Sequence, residues 1–270
     1  MKLGVLVNLA DNVASRIEKA AEMGFSSIQL CNWDISRFTQ CHANTVKAAL
    51  EKTGVSISSI WAGWSGMRIW NLYDGPLTLG LLPVEYRAQR VEDLKRGADF
   101  AEMLGVKQLI THAGFIPENP NEAEYRGMIL ALRDVASYCK QKGIYFLFET
   151  GQETPVTLIR AFEDIGLDNL GINLDPANLM MYGKANPVDA LGLLGKYVMD
   201  VHAKDGGYPT CGKLLGDETA LGKGSVDFPA LIRGLKACGY DGALTIEREI
   251  EGDEQIRDIL SAKAFLETLI

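Results

Sequence analysis

The sequence predicts an α/β fold, a single (β/α)8 barrel occupying residues 1–270, and three observations carry that prediction. Short apolar, β-branched runs alternate with longer amphipathic segments along the whole chain. The alternation produces eight segments of each kind, and eight βα repeats are what closes a parallel sheet on itself. The turn after the first strand, Asn8-Leu9-Ala10-Asp11-Asn12, contains no glycine. An open doubly wound sheet usually carries a glycine-rich phosphate turn at that point, so the barrel is preferred.

The predicted strands are Leu3–Asn8, Ser27–Cys31, Ser56–Ala62, Gln108–Ala113, Tyr145–Thr150, Leu170–Asp175, Val198–Lys204 and Ala243–Arg248. Among the helical patterns, Ala14–Met23 stops at Gly24, His42–Thr53 at Gly54, Pro83–Leu104 at Gly105 and Glu122–Lys142 at Gly143. A glycine just past a helix supplies a left-handed cap and lets the next strand start at once. Pro155–Ile165, Pro187–Lys196, Asp227–Cys238 and Asp253–Leu269 supply the other four helices. Two connections are long. Gly63–Leu82 follows the third strand with Trp64, Trp70 and Tyr73, and Gly206–Val226 follows the seventh with several glycines and lysines. Loops of this length are lids, binding loops or disordered segments, and both leave the C-terminal face, where barrel sites lie.

Composition narrows the function. With 47% hydrophobic and 23% charged residues, the chain has an ordinary globular make-up. Asp and Glu number 35 against 27 Lys and Arg, a net charge of -8, which argues against a nucleic-acid partner. A small anion held by a few local cations is still compatible. The five cysteines are odd in number and form no CxxC pair, so a reducing compartment is expected rather than a disulfide framework. The N-terminal apolar run is too short for a signal peptide, and no apolar stretch reaches the ~18 residues that a membrane span needs. A cytoplasmic protein is expected; a homo-oligomer stays open.

Each of the last four strands ends on an ionisable residue: Glu149, Asp175, His202 and Glu247. Taken singly, each has a bland account as a helix cap, a turn opener before Pro176, a core histidine or an arginine's partner. Together they place three carboxylates at one mouth, where they repel unless protonated or bridged by a cation. One divalent metal ion resolves the conflict. Oxygen ligands with one imidazole suit Mn²⁺, Zn²⁺, Co²⁺ or Mg²⁺, and the lack of thiolates argues against structural zinc. His112 ends the fourth strand on the same face, as a substrate contact, an outer partner of a ligand, or a buried hydrogen-bonded histidine. Trp33, Trp61 and Trp64 follow the second and third strands and are candidates for an apolar wall. Lys204 shares a strand face with His202, and it and Lys223 are candidate anion-binding charges, although Lys223 reads equally well as a solvated loop residue. His42, at a helix start, reads as structural.

Four segments sharpen this picture: Glu149-Thr150-Gly151-Gln152-Glu153-Thr154-Pro155, Asn173–Asn178, His202-Ala203-Lys204-Asp205 and Gly222–Phe228. With the order Glu, Asp, His, Glu on strands five to eight, the chain resembles the xylose-isomerase-like TIM barrels over essentially its whole length. More narrowly, it is similar to the sugar phosphate isomerase/epimerase group, which includes ketose 3-epimerases, hydroxypyruvate isomerase, and inosose isomerases and dehydratases. The resemblance implies that Glu149, Asp175, His202 and Glu247 hold the metal, and that Glu149 and Glu247 flank the substrate as a catalytic acid–base pair. It implies a small carbohydrate substrate (a sugar, sugar phosphate or inosose) and proton transfer through a metal-stabilised enediolate. Two departures bear on the substrate. Asn178 stands where similar epimerases have a histidine, and no arginine occurs between His202 and Arg233. Asn178, Lys204, His112, Trp61 and Trp64 are therefore the expected substrate contacts. The alternatives are an inosose-type dehydratase and a non-catalytic sugar-binding barrel. Endonuclease-IV-like barrels hold three metals and need more histidines than the three present.

Overall fold

The computed structural model describes residues 1–270. The apolar runs become β1 (Lys2–Asn8), β2 (Ser27–Asn32), β3 (Ser56–Ala62), β4 (Gln108–Thr111), β5 (Tyr145–Glu149), β6 (Leu170–Leu174), β7 (Val198–Ala203) and β10 (Ala243–Ile246). All neighbours pair in parallel, and the sheet closes as β1-β10-β7-β6-β5-β4-β3-β2. Around it lie α1 (Val13–Glu22), α2 (Gln40–Thr53), α4 (Val84–Leu104), α5 (Ala123–Gln141), α6 (Pro155–Ile165), α8 (Pro187–Leu194), α9 (Phe228–Ala237) and α10 (Asp253–Glu267). Gly24, Gly54, Gly105 and Gly143 have φ values of 78, 72, 73 and 65°, the left-handed caps expected after these helices. No helix is long and apolar enough to cross a membrane.

Most apolar side chains pack between barrel and helices, among them Ile28, Leu30, Ile60, Leu109, Phe146, Phe148, Leu174 and Val201. The barrel interior differs. Strand side chains alternate in and out, and the inward positions place Gln29, Ser59, Asn173, Asp200 and Thr245, all buried, in the interior. They sit at or near the level two residues below the strand ends, a polar layer under the mouth.

Three local features went beyond the sequence pattern. Asp175 does not end β6 but caps α7 (Pro176–Met181), with its side chain accepting from the Asn178 N–H at 2.8 Å. A six-residue helix is too short to show helical periodicity, although Asp-Pro is a good start signal. β4 stops before Ala113 because the Ala113 carbonyl turns to accept from Leu81 at 2.8 Å. The two long connections are both ordered. The first contains α3 (Gly75–Thr78), and the second contains an antiparallel pair, β8 (Asp205–Gly206) with β9 (Glu218–Thr219).

Each long connection is tied down by one buried charge. Arg90 of α4 is fully buried and donates to the carbonyls of Ser65, Met67 and Gly80 at 2.9, 2.9 and 2.6 Å. Its guanidinium also lies 4.0 Å from the Trp64 ring centroid, and burial pulls its pKa down to about 10. Asp205 does the same for the second loop. Its carboxylate accepts from the N–H groups of Gly206 at 2.8 Å, Gly222 at 2.9 Å, Gly224 at 2.9 Å and Val226 at 3.1 Å. Buried backbone donors left without an acceptor cost ~1–3 kcal/mol each. Asp205→Ala should therefore destabilise the fold by on the order of 3 kcal/mol, a fall in Tm of roughly 5–10 °C. A thermal melt within about 1 °C of wild type would show that the loop does not depend on this carboxylate.

Candidate metal centre

Glu149, Asp175, His202 and Glu247 come together: one ligand atom from each lies within 4.8 Å of the others. Parallel strands cause this directly, because all four C-termini open on the same rim. His202 Nδ1 is the hub, 3.2 Å from Glu149 Oε1, 3.1 Å from Glu247 Oε2 and 3.5 Å from Asp175 Oδ2. The ring is fixed from behind. His202 Nε2 lies 2.7 Å from Gln29 Oε1, and the Gln29 amide is itself oriented by Nε2 facing Asp200 Oδ2 at 3.4 Å. Ser59 donates to the same Asp200 oxygen at 2.5 Å. With the Gln29 carbonyl as acceptor, Nε2 carries the hydrogen and Nδ1 turns a lone pair towards the three carboxylates.

The donor set fits a divalent cation. His202 Nδ1, Asp175 Oδ2 and Glu247 Oε2 are buried without a hydrogen-bonding partner, which a protein seldom leaves uncompensated. Three oxygens and one oriented imidazole nitrogen are the ligands such an ion takes. Without a cation, the titration is distorted. Burial raises Asp175. Against the same effect, His112 and His202 lower Glu149, while Lys204 and His202 lower Glu247. Burial disfavours the His202 cation, yet Glu247 and Glu149 hold its pKa well above the ordinary value. Carboxylates crowded in this way bind either a proton on the imidazole or a metal beside it.

The predicted substrate contacts divide. Trp61 Nε1 donates to Glu149 Oε2, and Asn178 Nδ2 donates to Glu149 Oε1 at 3.1 Å. His112 Nε2 lies 3.6 Å from Glu149 Oε1. These three line a cavity of about 330 Å³ above the cluster. Lys204 is buried in the cluster itself, with Nζ 2.7 Å from Glu249, 3.3 Å from Glu247 and 3.9 Å from Asp175. Trp64, expected on the wall, is fully buried behind it, where Arg90 covers its face. Trp33 and Trp61 line the wall as expected, Trp70 takes the place of Trp64 beside them, and Arg68 lies at the rim. Lys223 is exposed and away from the cavity. His42 contacts Thr39 Oγ1 at 2.9 Å at the start of α2, away from the site.

Sequence reasoning missed Gln29, Asp200, Glu249 and Arg68. The first two had a signal: each interrupts an apolar strand at an inward position, Asp200 two residues before His202. Arg68 and Glu249 had none, because loop conformation alone brings them to the cavity.

A family model described as the xylose isomerase-like TIM barrel matches residues 17–269. The chain belongs to that family. A xylose isomerase domain protein from Planctomyces limnophilus superposes with a TM-score of 0.93 at 33% identity, covering 99% of this chain and 96% of that one. A D-tagatose 3-epimerase-like protein matches at a TM-score of 0.80 and 23% identity, over 100% and 97% of the two chains. An uncharacterized protein from Methanocaldococcus jannaschii is 25% identical over 98% of this chain and 88% of its own length.

Glu153, in the turn after β5, has both carboxylate oxygens buried without a partner, and burial pushes its pKa up from 4.5 to about 8. The folded chain thus keeps a proton that the unfolded chain releases, so stability falls as pH rises from about 4.5 to about 8. Glu153→Gln should melt several degrees above wild type near pH 8, with the gap closing towards pH 4.5. A gap that does not change between those two pH values would show that Glu153 is not held neutral.

Proposed function

We propose that this chain is a divalent-metal-dependent isomerase or epimerase of a small sugar, sugar phosphate or inosose. The observation that carries the reading is the pair Glu149 and Glu247. Each comes from a different arc of the barrel, each approaches His202 Nδ1 from its own strand, and both line the cavity that opens over the ligand cluster. The fold is shared with a protein named as D-tagatose 3-epimerase-like.

Removing a proton beside a carbonyl needs a base held ready and stabilisation for the charge that appears on oxygen. Glu149, Asp175, His202 and Glu247 would hold the ion, whose bound Lewis acidity offsets negative charge on the substrate's carbonyl and neighbouring hydroxyl oxygens. The residues around it prepare the two carboxylates differently. Glu149 is fixed through both oxygens, by Trp61 and Asn178, and stays put while a proton moves. Glu247 lies beside the Lys204 ammonium and is held well below the usual carboxylate range against the effect of burial, so it is ionised and able to accept. One carboxylate takes the proton from the substrate carbon and leaves its electron pair in the enediolate. In an epimerisation the other, having taken up a proton on substrate binding, returns it to the opposite face, and the first then releases its proton to solvent. In an isomerisation the first returns the proton to the neighbouring carbon while the hydroxyl proton passes between the two enediolate oxygens.

In D₂O, the wild type should place deuterium at the exchanging carbon of the ketose or inosose it accepts, as read by NMR. Glu149→Gln and Glu247→Gln should each reduce that exchange by at least about 10²-fold, the usual range for a lost acid or base. Metal content measured on the same samples separates this loss from loss of the ion. Either variant keeping both metal and full exchange would remove that residue from the acid–base pair.

A further inference from the structure

Enzymes that bind sugar phosphates on this barrel commonly use the loops after the seventh and eighth barrel strands, where backbone N–H groups and helix N-termini converge on the phosphate. Here these positions are already taken by carboxylates. The loop after β7 folds into a nest of N–H groups from Gly206, Gly222, Gly224 and Val226, and the nest closes on the chain's own Asp205. The N-terminus of α9 is capped by Asp227, which accepts from the Ala230 N–H at 2.9 Å. The first turn of α10 carries Asp253 and Glu254, which repel an anion.

The cavity's own charges point the same way. Lys204 is enclosed by Glu249, Glu247 and Asp175 and offers no free ammonium. Arg68 is the remaining cation on the lining. It forms no ion pair, and its guanidinium sits 4.5 Å from the Trp33 ring centroid. Four carboxylates (Glu149, Asp175, Glu247 and Glu249) balance Lys204, Arg68 and one divalent ion, so the site has no surplus positive charge for a phosphate dianion. What it offers is aromatic surface. Trp33 and Trp61 lie 4.6 Å apart at 47°, and Trp70 and His112 lie 5.2 Å apart at 57°. Together they make a wall suited to the C–H face of a polyol.

Resting on the metal-dependent reading above, we infer that the substrate is an uncharged keto sugar or keto-cyclitol, seated with its C–H face on Trp33, Trp61 and Trp70, and not a phosphate ester. Arg68 then donates to substrate hydroxyls, and Asp205 keeps the one ready-made anion nest closed.

All four tryptophans of the chain belong to this wall or stand directly behind it, so intrinsic fluorescence reports on the cavity. The test titrates the metal-loaded wild type with D-fructose, D-tagatose and myo-inosose, and in parallel with D-fructose 6-phosphate, D-tagatose 6-phosphate and inorganic phosphate. At least one uncharged probe should change the emission and, for a sugar, bind about tenfold or more tightly than its own ester, a difference of about 1.4 kcal/mol. Inorganic phosphate should neither change the emission nor compete. An ester binding as tightly as its parent sugar, competition by inorganic phosphate, or silence from every uncharged probe overturns the inference. Deuterium exchange run beside the titration separates the two readings. Selective binding of an uncharged probe without exchange supports this substrate class while removing the acid–base assignment, and exchange confined to esters does the reverse.

Discussion

Three carboxylates facing one imidazole nitrogen is the constraint on which the rest of the site depends. Taking a carboxylate out of water costs several kcal/mol unless its charge is met, and here Glu149, Asp175 and Glu247 are drawn together within reach of His202 Nδ1. Lys204 meets part of that charge from one side. The rest calls for a cation at the centre, and the orientation of His202, with its lone pair turned inward by Gln29, is what a ligand needs and what a merely buried histidine does not.

The surrounding structure serves that arrangement. The closed parallel sheet brings four strand ends to one rim. The polar layer beneath it, Ser59 on Asp200 and Asp200 facing Gln29, fixes the ring from below. From the side, Trp61 and Asn178 hold Glu149 through both oxygens. The rim loops are held by buried charges of their own, Arg90 under one and Asp205 under the other, so the cavity walls have a defined shape. Both charges are satisfied mainly by backbone groups, which ties loop geometry to the barrel without adding apolar core.

Much of this was legible in the sequence because barrel geometry converts strand position into spatial position. Once the apolar runs were counted, a residue ending strand five, six, seven or eight had to lie on the same rim. The glycines after four helices marked their ends for a steric reason, a positive φ. Less was legible where long-range contacts decide. Trp64 and Trp70 lie in one loop and differ little in sequence terms, yet the Arg90 latch buries the first and leaves the second on the cavity. Lys204 pointed inward as its spacing with His202 implied, but its commitment to Glu249 depends on a loop that no periodicity describes. α7 was too short to show a pattern, and the β8–β9 pair consists of two-residue strands held by the Asp205 nest rather than by hydrophobic alternation.

The central claim is that Glu149, Asp175, His202 and Glu247 hold one divalent ion. Its most direct test is metal content by mass spectrometry on wild type and His202→Ala, both purified without chelator or histidine tag and, if empty, soaked in Mn²⁺. The account predicts about one equivalent in the wild type and a large loss in the variant, as for removal of any metal ligand. A wild type that stays empty after soaking, or a variant that holds as much metal as the wild type, would contradict it.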